Sequence, residues 1–161
     1  MSSAPGVQTG ASPRADGFSR IVVPTDFSSC GEAAWATALR AARGFGAEVV
    51  LVHVVVDTPR FAEGTGGADL RATLQDAQQW AEREAGERVD AARAAGVSAR
   101  SLVLTGVPQR QILDVASAEG ADLIVIGTHG RGGLERALLG SVADHVIRLA
   151  PCPVLSVRAP E

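Results

Sequence analysis

The sequence predicts a doubly wound α/β fold: one five-stranded parallel sheet in the order 3-2-1-4-5 with helices on both faces. Three observations lead there. Ile21-Val22-Val23, Glu48–Val56 and Leu123–Ile126 are short, β-branched apolar runs that read as buried strands. Between them lie segments whose apolar residues fall three and four apart, the spacing of amphipathic helices. The resulting order, β-α-β-α-β-α-β-α-β, requires right-handed crossovers and parallel pairing. In this Rossmann-like arrangement the winding reverses between the first and fourth strands, and ligands bind at their carboxyl ends.

The first strand ends at Pro24-Thr25-Asp26. Ser29-Cys30-Gly31-Glu32 fits a capping box for a helix carrying Ala34, Ala38, Ala41 and Phe45 on one face, stopped near Gly44 and Gly46. Glu48–Val56 is continuous but for His53, the pattern of a central strand covered on both faces and expected to be the most buried element. A long helix from about Leu70 to Ala95 follows, with Leu74, Ala77, Ala81, Ala85, Val89 and Ala92 on one face and Gly86 as a weak point. Gly96 ends it, and Val97–Leu104 reads as an edge strand because Ser98, Arg100 and Ser101 are polar. Pro108 opens the next helix, where its missing N–H costs nothing. Leu123–Ile126, a helix from Ser141 to about Leu149 and a strand over Val154–Val157 complete the order.

A chain of 161 residues supports one core, and 46% hydrophobic against 20% charged residues is a globular composition. Residues 19–158 are expected to form the domain. Residues 1–18, rich in Ser, Gly, Ala and Pro, read as a disordered tail, and 159–161 as a short end. A net charge of -3 and a pI near 5.6 offer no broad cationic field, so no nucleic-acid partner is expected. No apolar run approaches the roughly 20 residues of a membrane span, so no membrane partner is expected either. Cys30 and Cys152 form no C-x-x-C or Cys/His cluster, which points to free thiols and a cytoplasmic location.

The stretch Gly127–Ser141 places five glycines in fifteen residues directly behind the fourth strand. A flexible surface loop is one reading. The other is an anion nest: Gly127 and Gly130 admit close approach of backbone N–H groups, while Gly140-Ser141 lies at a helix amino end that favours phosphate. The loop's place at the switch point, facing Asp26, favours the second reading.

These residues resemble the universal stress protein family, specifically its ATP-binding branch. The motif G-x2-G-x9-G-[S/T] is matched by Gly127, Gly130, Gly140 and Ser141. Agreement extends to Val23–Ser28, Leu51–Val54 and Pro151–Val157, and covers about Ser19 to Arg158. The resemblance implies an adenosine side lined by Pro24, Thr25, Asp26 and Val54. It implies a ribose and phosphate path over Ile126, Gly127, His129, Gly130 and Arg131, closed by Gly140, Ser141 and Val142. The implied ligand is ATP, with AMP or ADP as alternatives, accompanied by Mg²⁺ or Mn²⁺ held mainly through phosphates. Ala143 departs from relatives that often carry a hydroxyl or polar residue there. A homodimer paired through strand 154–157 is implied as well.

Several residues carry a plainer reading beside this one. Asp26 is either a turn or cap residue or a ligand contact. His53 reads as a satisfied core histidine, His145 as outward-facing, Arg136 as a solvated charge and Cys152 as packing. Arg131 is either a loop charge or a charge-assisted phosphate contact. Ser141 has no evident His and acid partners for nucleophilic catalysis. Gly132 and Gly133 lie outside the motif, and mobility over bound phosphates is the role expected of them.

The function expected is an ATP-binding stress-response or signalling module. Hydrolysis, if present, should be slow, because no P-loop lysine, base or arginine finger is evident. A nucleotidyl-transferring enzyme of related fold is the rival, although its S-G-G-x-D-S and paired-His signatures are missing. A nucleotide-free interaction module is the third reading.

Overall fold

A computed structural model describes residues 17–56, 67–129 and 139–159. The elements run β1 (Arg20–Pro24), α1 (Ser29–Phe45), β2 (Glu48–Val56), α2 (Gly67–Ala94), β3 (Ala99–Gly106), α3 (Pro108–Ala118), β4 (Leu123–Gly127), α4 (Ser141–Leu149) and β5 (Val154–Val157). All pairings are parallel, and the order is β3-β2-β1-β4-β5 as predicted. Residues 1–16 of the expected tail, Gly130–Leu138 of the glycine stretch and residues 160–161 lie outside the described residues. Gly17 and Phe18 are described, and the Phe18 ring meets Phe45 edge-on at 5.3 Å.

Strand alternation divides the core into two layers. Ile21, Val23, Val49, Leu51, Leu123 and Val125 face α1 and α2, where Ala34, Trp35, Ala38, Ala85 and Val89 meet them. Val22, Val50, Val52, Ile124 and Ile126 face α3 and α4, through Ile112, Val115, Ala143 and Val146. The alanine-rich inner faces of α1 and α2 keep their backbones close to the sheet. On α2, Ala81, Ala85, Val89 and Ala92 are buried as their spacing predicts, with Leu74 and Ala77 half-buried.

Three features differ from expectation. β2 is neither the centre of the sheet nor its most buried strand. β1 occupies the centre and is buried from Ile21 to Pro24, whereas β2 carries half-buried His53 and exposed Val56. The cause is register: β1 pairs with β2 only up to Pro24 opposite Val52, while β2 continues beside β3 to Val56 opposite Gly106. β3 begins at Ala99 instead of Val97, because Gly96 (φ 80) and Val97 close the end of α2. The Val97 N–H donates to Ala92 O at 3.0 Å and the Gly96 N–H to Arg93 O at 2.9 Å, a Schellman pair. Finally, α1 is capped by Ser28, whose Oγ accepts from the Gly31 N–H at 3.3 Å. Gly31 therefore occupies the third helical position, where a capping box needs Glu, and Glu32 pairs instead with Arg88 of α2 at 2.7 Å.

At the amino ends of the strands, side chains tie the sheet together. Arg20 Nε pairs with Glu48 at 2.9 Å, Arg100 Nε pairs with the same carboxylate at 3.1 Å, and Arg100 also pairs with Glu119. Asp122 accepts from the Ser19 and Arg20 N–H groups at 2.7 and 3.0 Å. These groups are partly exposed, so each pair contributes about 1 kcal/mol or less. Their main effect is to fix register at the end of the sheet opposite the ligand end expected for this topology.

Two outcomes test this packing. A Cβ on Gly127 would lie 2.9 Å from the carbonyl carbon, oxygen and Cβ of Cys30, where backbone has to move. Gly127→Ala should therefore cost about 1–3 kcal/mol in urea unfolding. Gly86→Ala, which meets nothing within 4 Å in α2, should add about 0.5–1 kcal/mol. Burial, and secondarily the Asp122 carboxylate, push the Cys152 thiol above its ordinary value. Iodoacetamide should thus alkylate Cys152 more slowly in the native than in the unfolded chain at pH 8, and Asp122→Asn should restore only a small part of that rate.

Candidate functional site

A cleft of about 550 Å³ opens at the carboxyl ends of β1, β2 and β4 and at the amino ends of α3 and α4. Its first wall is the turn joining β1 to α1. Thr25 Oγ1 accepts from the Phe27 N–H, and Asp26 Oδ1 accepts from the Ser28 N–H, both at 3.0 Å. These side chain to backbone bonds wind the chain tightly and deliver it to the Ser28 cap. Phe27 takes φ 59 in consequence. Gly31 lies against this turn: a Cβ there would come 2.8 Å from Thr25 Oγ1 and 3.3 Å from Asp26 Oδ1. The turn role weighed for Asp26 is thus observed, on a residue that also lines the cleft.

The second wall is the end of β4. Gly127 passes the first turn of α1 at the contact with Cys30 described above. Thr128 is buried; its N–H donates to Val157 O at 2.9 Å, and its carbonyl accepts from the Gly140 N–H at 2.7 Å. That last bond brings the two ends of the glycine stretch together, although 129–139 separate them in sequence. Thr128 Oγ1 lies 2.9 Å from His129 Nδ1. His129 Nε2 is buried and has no hydrogen-bond partner among the described residues. When the Thr128 hydroxyl donates to Nδ1, the neutral ring carries its proton on Nε2.

The amino end of α4 supplies the third part. Gly140 caps the helix without a side-chain hydrogen bond (φ -59, ψ 147). The N–H groups of Ser141, Val142 and Ala143 have no intrahelical acceptor, and the helix dipole adds partial positive charge. The opposite end of the cleft is apolar, lined by Val52, Val54, Val56, Pro108 and Ile112.

Of the residues expected at the site, Pro24, Thr25, Asp26, Val54, Ile126, Gly127, His129, Gly140, Ser141 and Val142 line this one cleft. Gly130 and Arg131 lie outside the described residues. Gly31, Val52, His53, Val56, Pro108, Ile112, Thr128 and Leu139 were not anticipated there, and Ala143, singled out as a departure from relatives, lines it as well. His53 carried a signal in the sequence, as the polar residue interrupting the apolar run from Val49 to Val56. Pro108 and Ile112 gave none, because only the tertiary fold brings α3 over β2. His145 is exposed as expected. Among the described residues no three His, Cys, Asp or Glu side chains converge to hold a metal, and no helix is long and apolar enough to cross a membrane.

Around the turn, Phe27 stacks on His53 with ring centroids 4.7 Å apart and meets Trp80 edge-on at 5.3 Å. The Arg88 guanidinium lies 4.7 Å from the Phe27 centroid. Burial acts to lower the Arg88 pKa, but hydrogen bonds and charge from Glu32 and Glu84 outweigh it, so the cation is held more firmly than in water.

Comparison with known proteins agrees with this architecture. Residues 17–158 match the profile of the universal stress protein family. Universal stress protein MJ0531 of Methanocaldococcus jannaschii is 40% identical over 158 residues, covering 89% of this chain and 84% of its own. The solved structure of MJ0577, described as a structure-based assignment of biochemical function, superposes with a TM-score of 0.79 at 27% identity, covering 88% of this chain and 96% of that one. A universal stress protein solved in complex with cAMP superposes with a TM-score of 0.62 at 25% identity, covering 89% and 99%. With its profile, its strand order and its close relatives in agreement, the chain belongs to the universal stress protein family.

Proposed function

We propose that the protein binds an adenine nucleotide in this cleft, with ATP the preferred ligand and AMP or ADP as alternatives. In this reading it serves in the cytoplasm as a nucleotide-dependent stress-response or signalling module with at most slow hydrolysis. The observation that carries the reading is the amino end of α4, with its unpaired N–H groups, at one end of an apolar cleft and held beside the end of β4 by the Gly140 N–H to Thr128 O bond at 2.7 Å.

The residues fit such a ligand. The cleft volume lies in the range of small-molecule sites. Val52, Val54 and Ile112 offer an apolar slot for a planar base, while the amino end of α4 offers N–H groups to phosphate oxygens. Gly127 and Gly140 leave the space that a side chain would fill, and His129 Nε2, without a partner among the described residues, is a donor when Thr128 donates to Nδ1. The relative solved with cAMP supports an adenine nucleotide as the ligand class. Mg²⁺ or Mn²⁺ accompanying the phosphates would take most of its ligands from phosphate and water, with Asp26 the carboxylate on the cleft wall. Its chemistry would be charge neutralisation of the nucleotide. The backbone N–H groups orient the phosphates, and the turn at Thr25–Asp26 borders the nucleoside. Gly130 and Arg131 belong to the proposed phosphate path by the same motif.

The proposed homodimer pairs β5 with its copy. β5 is the edge of the sheet and exposes Leu155, an unpaired apolar edge of the kind that invites strand addition.

Denaturing freshly purified protein and identifying released nucleotide by mass spectrometry, followed by calorimetry with ATP and Mg²⁺, tests the main reading. No nucleotide released and none bound would overturn it in favour of the interaction module, and ATP turnover dependent on a co-substrate would favour the nucleotidyl-transferring enzyme. Ser141→Pro is the informative variant. Proline is tolerated at the first helical position but removes the N–H offered to phosphate. ATP affinity should fall by roughly tenfold to a hundredfold while the melting temperature stays close to wild type. For the dimer, Leu155→Glu should shift the sedimenting species from dimer to monomer; an unchanged mass would rule out pairing through β5.

A further inference from the structure

The turn between β1 and α1 holds a shape that its residues do not favour. Phe27 sits at φ 59, a conformation that bulky side chains seldom adopt without support from their surroundings. The bonds from Thr25 Oγ1 and Asp26 Oδ1 are internal to the turn. Support from outside comes from β2. His53 Nδ1 lies 2.9 Å from Thr25 O, and because a carbonyl oxygen only accepts, Nδ1 is the protonated nitrogen. The same imidazole lies nearly parallel to the Phe27 ring, at 26° and 4.7 Å. One side chain thus grips the turn twice, at the backbone before Asp26 and at the side chain after it. From α2, Trp80 and Arg88 close on Phe27 as described above, so the left-handed residue is packed by rings and a cation.

We propose that His53 is a positioning residue of the cleft: its Nδ1 proton and ring face hold the Thr25–Phe27 turn in the form that presents Thr25 and Asp26 to the ligand. The ligand is the nucleotide of the preceding section, and this inference rests on that reading; the hold on the turn itself does not. Leucine at position 53 keeps apolar volume but removes the donor, leaving the Thr25 carbonyl without that bond. Asparagine places an amide N–H close to where Nδ1 stood and gives up the stack.

The test uses the full chain with two readouts. Amide hydrogen exchange on nucleotide-free protein reports Phe27 and Ser28, the two donors inside the turn, and calorimetry with ATP and Mg²⁺ reports affinity. In His53→Leu, those two amides should exchange about fivefold to tenfold faster, and ATP affinity should fall by a similar factor. Exchange elsewhere in β1 and β2, and the melting temperature, should stay near wild type. His53→Asn should recover most of both effects.

Unchanged exchange at Phe27 and Ser28, or faster exchange spread over the whole sheet with a lowered melting temperature, would overturn the proposal. So would a His53→Asn variant no better than His53→Leu, or faster exchange with ATP affinity unaltered. Should the wild-type protein bind no ATP, the nucleotide reading fails on its own, and the exchange readout still decides whether His53 holds the turn.

Discussion

The cleft depends on β1 and β4 being paired at one end only. Their register runs through Ile21 opposite Leu123 and Val22 opposite Ile124 and stops there, whereas β1 stays beside β2 as far as Pro24. Backbone direction explains the stop. The Arg20 carbonyl accepts from Asp122, so even-numbered residues of β1 point toward β4; odd-numbered Ser19 and Thr25 bond to β2, through Glu48 and Val52. The next donor toward β4 would be residue 24, and proline has no N–H. The ladder to β4 ends two residues before the strand does, and the chain stays bonded to β2 through Thr25. A topological switch point already leaves the following loops to part in opposite directions. Pro24 makes the parting begin inside the sheet.

Such an opening becomes a site only if backbone can reach into it. Gly127 lets the end of β4 lie against the first turn of α1, and Gly140 lets α4 start beside the Thr128 carbonyl. Both contacts are between backbones, so both depend on a missing Cβ. Helix geometry supplies the donors at the start of α4, which explains how a chain of net charge -3 can present an anion-favouring end lined, among the described residues, by no lysine or arginine.

Much of this was legible in the sequence, for reasons that differ by element. Strand order followed from alternation of β-branched runs and helical periods, because both faces of each interior strand are covered and its composition shows it. The glycine spacing marked the end of the cleft where α4 starts, because glycine has few reasons to recur at fixed intervals except backbone shape. What sequence left open was tertiary. The displacement of β3 by two residues came from a helix cap that uses Val97, an apolar residue indistinguishable from a strand residue by pattern alone. The Ser28 cap came from the Asp26 turn just before it, which moved the helix start by one residue and sent Glu32 to Arg88. His53 read as a core histidine, and in part it is one: its ring is packed and its Nδ1 is bonded. Its position beside the cleft could not be read from β2 alone, since it follows from β1 ending earlier than β2.

The two ends of the sheet consequently obey different rules. At the amino end, Arg20, Glu48, Arg100 and Glu119 pair across three strands and the α3–β4 connection, and Asp122 accepts from the backbone at the start of β1. At the carboxyl end stand a left-handed phenylalanine, a buried imidazole nitrogen without a partner among the described residues, a helix start without a side-chain cap, and exposed Val56 and Leu139. The left-handed phenylalanine and the imidazole nitrogen depart from rules that the other described residues observe, and departures of this kind gather where a fold is shaped for something other than its own stability. A ligand with an apolar ring at one end and negative oxygens at the other would relieve several at once, covering the apolar rim while accepting from α4 and His129. The amino end makes such an arrangement tolerable, because strands pinned there hold their register while the opposite ends stay apart.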